Sequence, residues 1–438
     1  MREIYDYSGH PLLDQLEEAI SEIVQLLDRH GYSDQALYIA QECLIDELIG
    51  LEQTAQELKT QGKKLRMQAA QLAKGAKDAR GHLSDAEKEE SRRLYQNAQE
   101  HEDSRRVLQY GRWLLRYVGD GIAWHAFAHN RRLIRALASK ESVPAIPDLA
   151  GVVKVRRMFR AVRRLGRNWF PVLHDITNCL RTADLSVFRD GHLVDMLELK
   201  FRIGAPKANE GAAYETRLDS RSQRQGERMD RILRFLETKE LGDLDPKLAG
   251  GKAIDSEVPE RHNFDAVSRA LAQARKAGYG IDSPEPGVIY VAWNVQKNDV
   301  ESALSAAGAQ HPEIVASTIT FRSVSARYDD HHQGLPITAM ALPAADILDI
   351  LFGRFGVVAI VNLRMLEAYC LERGVPLKMI KSAPRGFSLQ VEVDGIGGEV
   401  QDGLWDRVML EALSMESFVG LVRSIMRAYP SRDTGASA

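Results

Sequence analysis

No proline interrupts the chain between Pro11 and Pro144. Long helices need such an interval, because an interior proline costs about 3 kcal/mol. Leu12, Leu16, Ala19, Ile20, Ile23 and Leu27 recur at helical spacing, and Gly31 closes that segment. A second run places Leu37, Leu44, Ile45, Leu48 and Leu51 on one stripe, then turns polar and rich in Gln, Lys and Ala through Lys77. Ser84-Asp85-Ala86-Glu87 has the form of a capping box, in which Ser and Glu satisfy orphan amides at a helix start. The next helix carries mixed charge to Gln109 and becomes apolar and aromatic at Trp113, Leu114, Leu115 and Tyr117. The segment Tyr117–Ile122, with two glycines, breaks the pattern, and helix resumes near Trp124. Residues 1–145 are expected to form a helical bundle or a coiled-coil-like arm. Such an arm has little core of its own and must pack on something, which makes it a candidate for homodimerisation or for sensing a partner.

A chain of 438 residues exceeds one compact core, so two or three domains are expected. The net charge of −3 requires any basic surface to be local and balanced elsewhere. Cys43, Cys179 and Cys370 form no CxxC pair, which excludes a zinc ribbon and suits a reducing compartment. The first ten residues lack an apolar signal core, and no run of about 18 apolar residues is long enough for a membrane span. A cytoplasmic protein with no membrane partner is expected.

Pro144 and Pro147 mark a boundary. Residues 150–300 are expected to form an α/β core. Its strands are Pro171–Thr177, Asp184–Phe188 and Leu193–Lys200, followed by a helix over Ser222–Thr238 and a buried strand over Gly287–Trp293. The polar stretches 203–220 and 241–262 read as loops. Residues 301–430 form a mixed α and β portion without a catalytic motif. Its strands are Thr318–Val324 and Phe387–Val393, and its helices are Ala344–Phe352 and Asn362–Arg373. Residues 431–438 read as a disordered tail.

The chemistry concentrates between His174 and Lys200. Two strands are joined by a tight turn, one beginning with Asp184 and the other ending in Glu198-Leu199-Lys200. Side chains alternate along a strand, so Glu198 and Lys200 project from one face. Opposite charges at the end of an apolar strand are costly to bury unless something pairs with them. A divalent cation held by Asp184, Glu198 and the Leu199 carbonyl would satisfy them through hard oxygen ligands. It would polarise a phosphate and acidify a bound water, with Lys200 orienting that water. His174 and Asp175 are further candidates for a ligand or a base, and a solvated strand end is the plainer reading of both.

This acid, spacer, acid-x-lysine arrangement resembles the PD-(D/E)XK nuclease superfamily, with Asp184, Glu198 and Lys200 in its three positions. Ala183 stands where many members have proline. The resemblance runs from the basic helix near 155 to the strand ending near 295. It implies an α/β nuclease core ordered helix, three strands, helix, strand. It also implies Mg²⁺ or Mn²⁺ as cofactor and phosphodiester hydrolysis in nucleic acid, DNA ahead of RNA. From the helix after the third strand, Gln223, Gln225 or Arg228 would reach the phosphate, with Gln223 as the catalytic candidate.

Lys154, Arg156, Arg157, Arg160, Arg163, Arg164 and Arg167 crowd a helix that has no acid among them. A solvated face is the ordinary reading of a charge run, and a phosphate backbone is the natural partner of this one. Arg131, Arg132 and Arg135 would extend the surface. Asp329-Asp330-His331-His332 reads as a solvated loop, and the glycines of 394–398 precede no Gly-Lys-Ser/Thr. The expected function is a metal-dependent nuclease, with host defence suggested by a long helical arm joined to it. The alternatives are a non-catalytic nucleic-acid-binding or scaffold protein of similar fold and a metal-dependent hydrolase of nucleotides.

The turn after Phe188 fixes whether the site can exist. A two-residue Asp190-Gly191 loop would set Asp184 opposite Leu197 and turn it away from Glu198. A three-residue Arg189-Asp190-Gly191 loop, or a compensating bulge, would bring both carboxylates to one face.

Overall fold

The structure, a computed structural model, describes residues 10–80, 83–138, 149–180, 182–197, 220–243, 259–315, 319–324, 334–382 and 386–428. These fall into two compact units. The first contains residues 10–126 and 149–197, and the second contains residues 127–138 and 220–428.

Three helices open the first unit: α1 (Pro11–Arg29), α2 (Asp34–Arg80) and α3 (Asp85–Ala126). Pro11 sits at the start of α1, where a missing N–H costs nothing. The capping box before α3 is formed: the Ser84 amide donates to Glu87 Oε2 at 2.8 Å and the Glu87 amide donates to Ser84 Oγ at 3.4 Å. With 47 residues at 1.5 Å each, α2 is roughly 70 Å long. Leu37, Leu44, Leu51, Leu58, Leu65 and Leu72 recur along it every seven residues, the period of a coiled coil. Leu37 and Leu44 are buried in the part of the bundle that includes α1, whereas Leu51, Leu58, Leu65 and Leu72 are half-buried.

The expected break at Tyr117–Ile122 does not occur, and α3 runs through both glycines. Gly119 is there for contact. A Cβ on it would lie 1.9 Å from the carbonyl oxygen of Ile176. The neighbouring Asp120 carboxylate accepts the amides of Asn178 at 2.6 Å and Cys179 at 2.8 Å. Helix α3 thus grips the loop that precedes the β-hairpin.

Helix α5 (Leu149–Arg164) leads into an antiparallel sheet ordered β1 (Trp169–Leu173), β2 (Leu185–Arg189), β3 (His192–Leu197). Val155, Phe159 and Val162 form the buried stripe of α5, as their spacing predicts, and Phe159 stacks on Tyr38 with centroids 4.7 Å apart. Along the outer margin of β1, the buried Gln41 side chain donates to the Pro171 carbonyl at 3.1 Å and accepts the Leu173 amide at 2.9 Å.

The second unit begins with α4 (Arg131–Leu137) and α6 (Ser220–Thr238). Then α7 (Phe264–Ala277), β4 (Tyr279–Glu285), β5 (Val288–Asn294), α8 (Val300–Gln310), β6 (Ile319–Ser323), α9 (Ala344–Leu351) and β7 (Phe355–Asn362) build a four-stranded antiparallel sheet, ordered β4-β5-β7-β6, with its helices. Its core packs Ile289, Val291, Trp293, Val358 and Ile360 against α8. After α10 (Leu363–Glu372) comes a three-stranded sheet of β8 (Leu377–Ser382), β9 (Gly386–Val393) and β10 (Ile396–Gln401), followed by α11 (Asp402–Leu410) and α12 (Met415–Ala428). Mixed α/β architecture with a helical N-terminal region is therefore present. The expected single core of helix, three strands, helix and strand is not what the ladders form. The fourth strand, β5, pairs with β4 and β7 and not with β1–β3, because α7 and β4, neither anticipated from the sequence, supply it with its own hairpin. The expected loops at 203–220 and 241–262 lie largely outside the described residues, as does the expected tail.

The Gly119 contact carries a stability prediction. Gly119→Ala drives a methyl into main chain, which side-chain rotation cannot relieve, and should cost about 3 kcal/mol or more. A thermal midpoint equal to that of the wild type would show that the contact is looser than the geometry indicates.

Candidate metal centre

The hairpin turn is the two-residue loop, not the three-residue one. Arg189 pairs with His192, and Asp190 and Gly191 both have positive φ, 53° and 75°, the signature of a type I′ turn. On that count alone Asp184 would face away from position 198. The ladder then shifts. Val187 pairs with Asp195 and Phe188 with Leu193, so Val194 is an extra residue in β3, a bulge. Beyond it Ser186 pairs with Met196 and Leu185 with Leu197. A bulge, the other possibility the sequence raised, is therefore present in β3.

Asp184 sits just outside this last pair. Its amide donates to the Leu197 carbonyl at 2.9 Å, and its carbonyl accepts the His174 amide at 3.0 Å. It is half-buried and follows Ala183, whose φ of 69° is unusual for a residue with a side chain. Ser186 and Met196 are paired and share a face, and His174 reaches Ser186 on it. That face is closed: Ser186, Met196 and His174 are all buried.

His174 Nε2 and Ser186 Oγ are 2.8 Å apart, and Nδ1 is buried. Burial pushes the imidazole pKa down to about 4, and backbone groups of Thr182 and Ala183 only partly oppose this. His174 is therefore a neutral buried ring beside Asp184, not a solvated strand end. Cys179 is half-buried and forms no disulfide among the described residues.

Glu198, Leu199 and Lys200 lie outside the described residues, and for Gln223 only its place in α6 is described. No group of three or more His, Cys, Asp or Glu side chains capable of holding a metal occurs among the described residues. Asp329–His332 also lies outside them. The glycines of 394–398 belong to another hairpin, with Asp394 and Gly395 at positive φ between β9 and β10.

The basic helix divides into two sets. Arg156 and Arg160 both grip Glu42, with Arg156 Nε at 2.6 Å and Arg160 Nε at 2.7 Å, and Arg156 also pairs with Asp46. Burial would raise the Glu42 pKa, but the bonds from Arg160 and Arg156 outweigh it and hold the carboxyl below its usual range. Arg163 donates to the carbonyls of Arg167 and Trp169 and to Gln35. The acids missing from the local sequence are supplied by α2, more than a hundred residues upstream. Arg157, Arg164 and Arg167 are exposed instead, and no side-chain hydrogen bond or ion pair of their guanidiniums occurs among the described residues.

Two further expectations need correction. Arg228 was a candidate phosphate contact, but its guanidinium donates to the carbonyls of Ala136 and Ala138, closing the end of α4. Arg131 does not extend a basic surface, since it pairs with Glu411, itself buried and bonded to Arg407 at 2.8 Å.

His174 predicts a pH dependence. Above pH 6.5 the ring is neutral folded or unfolded. Between about 6.5 and 4 only the unfolded chain takes up the proton, so stability falls as pH falls and levels off below 4. The loss attributable to this ring is about 3 kcal/mol. Denaturant melts of wild type and His174→Gln across that range should differ in slope, and parallel curves would contradict the assignment.

Searches of family models, curated proteins and solved structures find no match to this chain.

Proposed function

We propose that this chain is a metal-dependent phosphodiesterase acting on nucleic acid, with its centre at the open end of the β2–β3 hairpin. The bulge at Val194 is the observation that carries this reading. Leu185 lies opposite Leu197, and the Asp184 amide also bonds the Leu197 carbonyl; a ladder that resumed the Leu185–Leu197 register beyond this point would set Asp184 across from Glu198. Paired residues share a face, so the two carboxylates would converge, and Lys200 would project beside them. Mg²⁺ or Mn²⁺ held by Asp184, Glu198 and the Leu199 carbonyl would lower the pKa of a bound water and polarise the scissile phosphate. Lys200 would orient the water, and Gln223 would steady the phosphate.

Arg157, Arg164 and Arg167 are the cations of this basic helix best placed to receive a phosphate backbone, because Arg156, Arg160 and Arg163 already serve partners within their unit. A non-catalytic nucleic-acid-binding protein is the second reading. It is favoured by the separate sheet that holds β5.

Incubation with labelled single- and double-stranded DNA and RNA, in Mg²⁺, Mn²⁺ or EDTA, separates the two. The proposal expects cleavage that needs the metal and falls by on the order of 10²-fold or more in Asp184→Ala, Glu198→Ala and Lys200→Ala. Activity in EDTA, or in any of these variants at wild-type level, would overturn it. Binding without cleavage under every condition selects the second reading.

The salt dependence of binding tests the division of the basic helix. Removing Arg157, Arg164 and Arg167 together should flatten the slope of log K against log salt by about 2 to 3, since each lost phosphate contact spares one counterion. Removing Arg156, Arg160 and Arg163 should instead lower stability and leave the slope unchanged. Equal slope changes in the two triple variants would erase the distinction.

A further inference from the structure

The outer part of the α2–α3 hairpin has little interior. Between Gln53 and Lys74 on α2, and Asp85 and Ser104 on α3, the buried residues are Gly62, Ala69 and Ala98. The heptad leucines Leu58, Leu65 and Leu72 are only half-buried there, and Met67 and Tyr95 are 53% and 51% exposed. A seven-residue repeat of leucine is the pattern of a coiled-coil seam, and in this part of the hairpin the seam stays half-open. The helices also leave a groove of about 420 Å³, lined by apolar Leu58, Met67 and Ala98, by Lys59, Lys63 and Arg66, and by Glu102, which pairs with Arg105 at 2.7 Å.

Charge states what fits. From Glu57 to Lys74, α2 carries five cations and one acid, and from Asp85 to Asp103, α3 carries seven acids and three cations. Lys59, Lys63, Lys64 and Arg66 make no ion pair among the described residues, although the acidic helix runs beside them. The acids of α3 pair within their own helix, Glu89 with Arg92 at 3.3 Å and Glu90 with Arg93 at 2.9 Å, in exposed contacts that contribute little. The cations are turned outward, toward an acidic helix with an apolar spine. The acidic half of α3, with Leu94 and the exposed Tyr95, is such a helix.

We propose that the hairpin docks on the same hairpin of a second copy, α2 of one lying on α3 of the other, to close a four-helix bundle. Two-fold symmetry makes the contact twice, so both complementary faces are covered at once and no face is left to extend a filament. A polyanion would suit α2 but not the acidic wall beside it. This assembly is independent of any catalytic activity.

Light scattering of the full chain from about 1 to 100 µM should return twice the chain mass, in the concentration range of a specific interface. Lys63→Glu with Arg66→Glu, and separately Glu89→Lys with Glu90→Lys, should each weaken self-association at least tenfold with helix content unchanged by circular dichroism. Lys63, Arg66 and Glu89 are exposed and Glu90 is half-buried on the outer face of its helix, so the variants should fold. Each variant repels itself at both contacts, whereas one copy of each is complementary at both. Their equimolar mixture should therefore restore the dimer. A monomer at every concentration, a dimer indifferent to both variants, or a mixture that stays monomeric would each overturn the proposal.

Discussion

The first unit depends on how closely α3 approaches the loop before the hairpin. Gly119 lets backbone meet backbone at Ile176, and Asp120 holds the next two amides. A carboxylate that accepts two backbone N–H groups is a strong and directional clamp. The loop it fixes ends at Ala183 and Asp184, so the position of the acidic side chain is set by a helix more than sixty residues earlier. The amides of His174 and Asp184 then join all three strands at that end of the sheet. A mobile loop would leave Asp184 without a defined direction, and the proposed metal site needs one.

The same helical scaffold governs the charge on α5. Glu42 and Asp46 on α2 absorb two of its arginines, and the neutralised guanidiniums hold α5 against α2. What remains outward is a smaller and more selective basic surface than the run of cations suggests. Ion pairs of this kind, bidentate and partly buried, position elements more than they stabilise them.

These features show which signals a sequence exposes. The hairpin and the helices Ser220–Thr238, Ala344–Leu351 and Leu363–Glu372 follow from local periodicity, and the limits of these three helices differ from expectation by one or two residues. The α5 stripe of Val155, Phe159 and Val162 is equally plain. Three things were not legible. Gly119 looks like a helix breaker because its use lies in a contact with Ile176, which no local pattern records. The acids that pair with Arg156 and Arg160 are remote. The bulge at Val194 changes the register by one residue, and with it the face of every residue beyond, without any glycine or proline to announce it. The six-leucine heptad was in plain view, but Gln, Lys and Ala between the leucines made that stretch look merely polar. The separation of β5 from the first sheet arises from pairing partners, and periodicity does not choose partners.

Gln41 has a further meaning for the sheet it touches. Its amide offers one donor and one acceptor in the spacing of a strand, and so behaves as a one-residue strand laid along β1. A sheet so terminated cannot recruit another strand on that side, because the hydrogen-bonding groups that would greet it are already spoken for. The sheet therefore has a direction of growth. Its only open margin among the described residues is β3, the strand that carries the bulge, so any segment added to the sheet would lie alongside the strand that sets the register of Asp184.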